Sequence, residues 1–285
     1  MLLLKHNPLL LKRLLVGKAK LFFMSDNVTD NFTQIGEFIY DLNFDFSVTK
    51  RTIKEKKLGY YEMAIVNLMQ EALKPGDTFV DVGANVGYLT AIAMGCVGRE
   101  GNIHAFEPIS LYARYIEKYV LQNKLNNIKI NQVALSNYEG TAEINVSKPP
   151  FTGNSGFVRV PQCDYLYQGV INVPMKRLDL YIDANQITKE KIKLIKIDVE
   201  GYEIPVLLGL ENYFKSTSHR PIIICEIRAN LYSALGCKLS ELISYLSSYG
   251  YEAYNIYAPN RKLNLAEHTT SELNVVFKLP LLENY

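Results

Sequence analysis

The stretch DVGANVGYLTAIA, residues 81–93, decides the interpretation of the whole chain. An apolar run ends in its first residues, two glycines follow with Asn85 between them, and an apolar segment of helical character then begins. Glycine-containing loops between a buried strand and a helix commonly hold nucleotide-like ligands. The stretch therefore predicts a strand, a ligand-binding loop and a helix, in that order.

Strands and helices alternate along the rest of the chain. Five apolar segments have the length and composition of strands: DTFVDVG, NIHAFEP, IKINQVAL, IKLIKIDV and PIIICEI. Helical segments separate them along the chain. Two further strands, EAYNIYA and ELNVVFKLP, follow the last helix with no helix between them. Such alternation predicts an α/β fold with a mostly parallel sheet, and the last two strands predict an antiparallel hairpin at one edge.

The chain is predicted to divide into a helical N-terminal extension, residues 1–73, and a main domain, residues 74–285. Residues 60–73 have apolar side chains at helical spacing, and the turn KPGD follows them. The leucine-rich, basic segment 1–24 lacks an apolar run near the ~18–20 residues that span a bilayer. We interpret it as an amphipathic helix packed on the main domain or on a second copy of the chain, that is, a homodimer. The alternative is peripheral contact with an anionic membrane surface.

Composition excludes several classes of protein. Apolar residues make up 48% of the 285 residues and charged residues 21%, which is typical of globular proteins. A net charge of +2 is small for a protein dedicated to nucleic acids. The four cysteines form no CxxC pair, so neither a zinc site nor a disulfide framework is predicted. We expect a cytoplasmic protein with reduced thiols.

Four acidic residues come at or near the ends of predicted strands: Asp81, Glu107, Asp198 and Glu226. The carboxyl ends of parallel strands meet at one edge of a sheet, where α/β proteins bind their ligands. Several carboxylates at one edge repel each other unless cationic or hydrogen-bonding groups meet them. The pattern therefore predicts a binding site at this edge.

The glycine loop fits some ligands better than others. No G-x-x-x-x-G-K-[ST] string is present, which disfavours a P-loop. A dinucleotide loop requires glycine where this chain has Asn85, whose side chain would crowd a pyrophosphate. S-adenosylmethionine (SAM) carries an amino-acid tail instead. Backbone N–H groups and the helix N-terminus could hold its carboxylate, and an acid such as Asp81 could hold its ammonium, directly or through water. Glu107 follows Gly87 at the spacing of about twenty residues expected of a ribose-binding acid, which NAD and SAM sites share.

An ordered set of motifs distinguishes these ligands. VDVGANVGY, FEP, VALSNYEG, VPMKRLD and KIDVEGYE follow one another between about residues 76 and 250. This set resembles the FkbM family of SAM-dependent methyltransferases. The resemblance implies a class I methyltransferase (Rossmann-like) fold: a seven-stranded, mostly parallel sheet in the order 3-2-1-4-5-7-6 with an antiparallel last strand. It also implies O-methylation of a hydroxyl on a sugar, glycan or secondary metabolite, with S-adenosylhomocysteine (SAH) as product. The near-neutral charge and the sequence DVEG in place of the N/D-P-P-Y/F string of base methyltransferases predict no nucleic-acid partner.

The resemblance also implies site residues, motif by motif. The methionine end of SAM would lie against Asp81, Gly83, Asn85 and Gly87, the ribose hydroxyls against Glu107, and the adenine against Ala134 and Ser136. The predicted catalytic residues are Asp198 and Glu200, which would face the reactive methyl group. Asp198 is the leading candidate for the base that accepts the hydroxyl proton.

Several alternatives stay open at this point. Glu200 and Glu203 are alternate bases, although carboxylates at a helix start also act on the helix dipole alone. Asp198, Glu200 and Glu226 could bind a divalent cation such as Mg²⁺, which the sequence does not establish. The loop from Lys148 to Gln162 is a candidate lid. The competing functions are an NAD(P)-dependent oxidoreductase and a catalytically silent SAM-binding scaffold.

Overall fold

The computed structural model describes residues 32–35, 37–41, 61–148, 151–270 and 272–280. The predicted helix in segment 1–24, with its membrane or dimer contact, lies outside these residues. The first described elements are two short strands, β1 (Phe32–Ile35) and β2 (Phe38–Asp41), which pair antiparallel. The prediction of a mostly helical N-terminal part is wrong for these residues, because Phe38 and Tyr40 alternate with exposed Ile39 as in a half-buried strand.

The remaining elements follow in chain order. The helices are α1 (Met63–Ala72), α2 (Tyr88–Val97), α3 (Ser110–Gln122), α4 (Leu178–Ala184), α5 (Glu203–Leu208), α6 (Glu211–Ser216) and α7 (Leu239–Ser248). The strands are β3 (Thr78–Val82), β4 (Asn102–Phe106), β5 (Ile128–Asn131), β6 (Ala134–Leu135), β7 (Gly140–Ser147), β8 (Tyr167–Lys176), β9 (Ile192–Ile197), β10 (Ile222–Arg228), β11 (Glu252–Asn255), β12 (Ala258–Lys262) and β13 (Glu272–Lys278). Among the described ranges, no helix has both the length and the apolar character required to cross a bilayer.

The central sheet has the strand order β12-β11-β13-β10-β9-β3-β4-β5. Five neighbouring strands of this sheet, β10, β9, β3, β4 and β5, run parallel. β13 is antiparallel to both β10 and β11. Numbered along the chain without β12, this order is 3-2-1-4-5-7-6, so the predicted fold class is confirmed. The two last strands predicted from the sequence, β11 and β13, pair antiparallel as expected. The segment between them in the chain forms β12, which pairs with β11 and adds an eighth strand at the edge, so β13 lies inside the sheet.

Successive side chains of the central strands pack on opposite faces of the sheet. On one face, Phe79 and Leu194 join a cluster with α1, α2 and α3; on the other, Val80 and Ile195 join a cluster with α4, α5 and α7. Tyr40 and Met69 belong to the first cluster, so β2 and α1 pack into the same core as the central sheet. The predicted helix over 60–73 is confirmed as α1.

A small second sheet, in the order β6-β8-β7, stands beside the central one. The third predicted strand is divided between the two sheets, as β5 and β6, and β8 was not predicted at all. The single helix predicted after β9 is two helices, α5 and α6, separated at Gly209. A Cβ atom at Gly209 would lie 2.2 Å from the carbonyl oxygen of Ser136, so the chain can pass there only as glycine.

Candidate active site

A cavity of ≈ 370 Å³ opens at the carboxyl ends of β3, β4 and β9, within the size range of small-molecule sites. Five segments of the chain form most of its wall: the loop after β3, the loop after β4, the start of β6, the turn after β9 and the loop after β7. Residues that line it include 61–62, 82–86, 106–109, 133–135, 151–157, 198–200, Lys196 and Glu226. The site is therefore at the edge of the sheet that the four acidic residues predict.

The loop after β3 owes its shape to backbone conformations that few residues adopt. Gly83 has φ +76°, and a Cβ atom there would lie 1.8 Å from the carbonyl oxygen of Asp198. Asn85 has φ 51°, and its side-chain oxygen accepts the N–H of Val86 at 2.8 Å. Asparagine tolerates this left-handed region better than most residues.

The N–H groups of this loop have internal acceptors. The N–H groups of residues 83 and 84 donate to the carbonyl oxygen of Phe106, both at 3.0 Å, and that of residue 87 donates to the carbonyl oxygen of Ala84. The N–H of Asn85 donates to Glu107 Oε2 at 2.8 Å. The expectation that these N–H groups bind the SAM carboxylate is therefore not supported, because they are already used to hold the loop.

Glu107 lies in the cavity wall where sequence spacing predicts a ribose-binding acid. Its two carboxylate oxygens accept the N–H groups of Asn85 and Ile109, at 2.8 and 2.9 Å. Each oxygen has a second lone-pair site that a ribose hydroxyl could donate to. Burial raises the pKa of Glu107 to about 7, although these hydrogen bonds act in the opposite direction.

Lys196 supplies the cation that the acidic edge requires. Its ammonium lies 3.1 Å from Asp198 Oδ2 and 3.8 Å from Asp81 Oδ1, and it donates to the carbonyl oxygen of Gly83 at 3.0 Å. Burial disfavours the ammonium, but Asp198 and Asp81 outweigh it and raise the pKa of Lys196. Sequence reasoning missed this residue; the available signal was a lysine within the otherwise apolar strand IKLIKI.

Asp198 and Glu226 form a hydrogen-bonded pair of carboxyl groups beside Lys196. Burial would raise the pKa of Asp198, but Lys196 and the hydrogen bond from Glu226 lower it. Burial and the charge of Asp198 raise the pKa of Glu226 to about 10. Near neutral pH, Glu226 is therefore protonated and donates to an ionised Asp198, whose side chain is 30% exposed to the cavity.

Glu200 lines the cavity in an ion pair with Arg228, which also contacts Glu272 at 2.8 Å. Carboxylate oxygens of Asp198, Glu200 and Glu226 lie within 4.8 Å of one another, close enough to hold a metal ion. Asp198 and Glu200 are paired with Lys196 and Arg228, so a divalent cation would have to compete with these two side chains for the carboxylates.

Three predicted cofactor residues are not in the cavity wall. Asp81 is fully buried, since it faces α2 from within the sheet, pairs in register with Lys196 and accepts a hydrogen bond from Thr90 Oγ1 at 2.6 Å. Gly87 forms the turn into α2. Ser136 is fully buried and shares a hydrogen bond of 3.1 Å with the hydroxyl of Tyr202. The predicted residues that do line the cavity are Gly83, Asn85, Glu107, Ala134, Asp198 and Glu200.

The candidate lid and the alternate base Glu203 lie in different places relative to the cavity. The candidate lid contributes residues 151–157 to the wall, and the ring of Phe157 packs 4.4 Å from that of Tyr202. Glu203, an alternate base in the sequence analysis, is fully buried behind the cavity and accepts the N–H of Gly201 at 2.8 Å. Its carboxylate therefore holds the turn that leads into α5.

The sheet order and a cavity at the carboxyl ends of β3, β4 and β9 define a class I methyltransferase. Comparison with known proteins identifies the family: the FkbM methyltransferase domain matches residues 81–253. This match covers more than half of the chain, and the chain belongs to the FkbM family of SAM-dependent methyltransferases. The alternative of an NAD(P)-dependent oxidoreductase is therefore wrong, and the cofactor is SAM.

Curated relatives are distant. The chain is 24% identical over 210 residues to Methyltransferase 1 of Beauveria bassiana (strain ARSEF 2860), covering 68% of this chain and 84% of that protein. It is 25% identical over 171 residues to the hexuronic acid methyltransferase AglP of Haloferax volcanii, covering 60% of this chain and 64% of that protein. Among solved structures, it is similar to Aeropyrum pernix fibrillarin in complex with S-adenosyl-L-methionine, with a TM-score of 0.41, 11% identity and coverage of 82% and 76% of the two chains.

Proposed function

We propose that this methyltransferase transfers the methyl group of SAM to a hydroxyl oxygen, and that Asp198 is the base. The observation that carries the proposal is an ionised carboxylate in the cavity wall, held beside Lys196 and hydrogen-bonded by Glu226. A hydroxyl is a poor nucleophile while it keeps its proton, so a positioned carboxylate contributes typically ~10²–10⁴-fold to the rate.

The reaction is an in-line displacement. The hydroxyl oxygen forms a bond to the methyl carbon, the carbon–sulfur bond breaks, and its electron pair stays on sulfur to give neutral SAH. The hydroxyl proton passes to Asp198 and then to solvent. Lys196 keeps the carboxylate of Asp198 in place. Correct alignment of the acceptor oxygen, the methyl group and the sulfur can lower the activation barrier by about 7–11 kcal/mol.

We further propose that the acceptor is a sugar, a glycan or a hydroxylated secondary metabolite. The resemblance to a family that acts on such compounds supports this class, and the relative AglP is named as a hexuronic acid methyltransferase. Free thiols at Cys96, Cys163, Cys225 and Cys237 support action in the cytoplasm, because oxidising compartments favour disulfides.

The test uses SAM with an isotope-labelled methyl group and a panel of neutral glycosides and uronic-acid glycosides. Mild alkali then distinguishes the products, since it cleaves a methyl ester but leaves a methyl ether intact. The proposal expects an alkali-stable ether. An alkali-labile product would mean that the enzyme methylates a carboxyl group instead.

Two matched variants test the role of Asp198. Asp198→Asn should lower kcat by ~10²-fold or more while SAH affinity changes little. Asp183→Asn, an exposed residue of α4, should leave both unchanged. Undiminished kcat in Asp198→Asn would exclude Asp198 as the base. SAM binding with no turnover on any acceptor would favour the silent scaffold.

A further inference from the structure

The ammonium of the amino-acid tail of SAM cannot reach its expected partner directly in this cavity. The tail carries one carboxylate and one ammonium, and the acid expected to hold the ammonium, Asp81, is fully buried behind the wall. The N–H groups of the glycine loop already have acceptors. Another acid must meet the ammonium, since a cation moved out of water without a partner is costly.

Glu62 is an acid in the cavity wall that the family match does not include. It precedes α1 and is half-buried, whereas the matched region begins only at residue 81. The other acids discussed above come from the ends of central strands or from the turns after them: Glu107 accepts two backbone N–H groups, Glu226 bonds to Asp198, and Glu200 pairs with Arg228.

Glu62 is at the methionine end of the cavity. Glu107 marks the ribose position at the end of β4, and the methyl group must lie near Asp198. The negative charge of Glu62 contributes to the raised pKa values of Lys196, which contacts Asp198, and of Tyr88, the first residue of α2. Glu62 is therefore near both residues. The ring of Tyr61 packs edge-on against that of Tyr88, with centroids 5.2 Å apart, which fixes the segment before α1 against the start of α2.

The backbone of Glu62 is unusual as well. It has φ 47° and ψ 35°, a left-handed conformation that glutamate rarely adopts. Such conformations cost of order 1–3 kcal/mol and cluster at ligand-binding sites, where the surrounding structure maintains them. Two independent observations, position in the wall and a strained backbone, therefore direct attention to the same residue.

We propose that Glu62, from the segment before α1, binds the α-ammonium of SAM, a task that class I methyltransferases commonly give to the acid at the end of the first strand. The inference concerns the cofactor alone and does not depend on the acceptor or on O-methylation.

Calorimetric titration with three ligands tests this proposal. SAH has the complete tail, deaminated SAH lacks only the ammonium, and 5′-methylthioadenosine lacks the amino-acid tail. Glu62→Gln should weaken SAH binding about tenfold, the loss of one charge-assisted hydrogen bond. It should change the affinity for the other two ligands by less than about twofold. Glu71→Gln, an exposed residue of α1, should bind all three like the wild type.

The outcomes separate the possible errors. Unchanged SAH affinity in Glu62→Gln overturns the proposal, and so does an equal loss for deaminated SAH, because neither involves the ammonium. Thermal melting without ligand checks that the variant folds. If it does not fold, Glu62→Asp replaces it, and an unaltered preference for SAH over its deaminated analogue would again overturn the proposal. A wild-type protein that binds none of the three ligands would instead contradict the cofactor assignment.

Discussion

Replacing Gly83 by alanine tests the contact on which the site depends. This residue directly follows β3, at a point where the chain approaches the carbonyl group of Asp198. The added methyl group would lie 1.8 Å from that oxygen and 3.4 Å from Val199 Cγ1. Either the loop after β3 or the turn after β9 must therefore move, and the turn after β9 contains the proposed base.

The expected loss of stability has two components. The left-handed conformation of residue 83, with φ +76°, costs alanine about 1–2 kcal/mol. Overpacking against fixed backbone adds about 1–3 kcal/mol. We therefore expect Gly83→Ala to lower the free energy of unfolding by about 2–5 kcal/mol, a large part of the ~5–15 kcal/mol typical of domains.

The control for this experiment is Gly76→Ala. Gly76 has a similar conformation, with φ +86°, but no atom lies within 4 Å of its added methyl group. It should lose only the backbone component, about 1–2 kcal/mol. Urea denaturation of both variants gives the contact component as a difference. A Gly83→Ala loss within about 0.5 kcal/mol of the control would refute the reasoning, because the close approach would then carry no energy.

Two other predictions concern charge. Burial raises the pKa of Glu107 from 4.5 to about 7, so its contribution to stability is complete below pH 4.5 and is lost as the pH rises through about 7. Glu107→Gln should therefore lose less unfolding free energy than the wild type across this pH range in urea denaturation; equal losses would contradict the raised pKa. Because Lys196 and Arg228 already balance the acids of the cavity, SAH formation should be unchanged after dialysis against EDTA. A loss of turnover that Mg²⁺ restores would show that these acids bind a metal.

Features that depend on local sequence were predictable. The alternation of apolar strands with helices predicted a mostly parallel sheet. The spatial order of the strands within that sheet followed from the family resemblance. Glu107 and Asp198 reach the cavity because each comes at the end of a strand in a parallel sheet. Asn85 also lines the cavity, as its place in the glycine motif implies.

Features that depend on pairing between distant segments were not predictable. Asp81 and Lys196 are neighbours only because β3 and β9 pair in a particular register, and that register directs both side chains toward α2. Lys196 thereby becomes the cation of the site, while Asp81 is enclosed behind it. Glu62 reaches the cavity through the packing of α1, which no spacing within the motifs reveals.

Some elements lacked the periodic signal that sequence reasoning requires. In β8, residues from Gln168 to Asn172 are all exposed, so apolar and polar residues do not alternate, and Pro174 argues against a strand interior. The two strands of the β1–β2 hairpin are only four residues long, which is too short for a clear periodic signal. Gly209 is permitted within a helical pattern, and only its approach to Ser136 shows why the helix ends there.

The packing of β2 and α1 makes the segment before the family-matched region a structural part of the domain. The hydroxyl of Tyr40 donates to the carbonyl oxygen of Val86 at 3.1 Å, so a strand well before the shared region braces the loop that faces the cofactor. A fragment that begins at residue 74 would lack α1, so the side chains of α2 that pack against α1 would be exposed, and it would also lack the brace from Tyr40. Evolution can therefore exchange the segment before the shared region only for another that covers the same helix. Divergence among relatives in this segment would be expected to alter cofactor affinity as well as any contacts made at the surface.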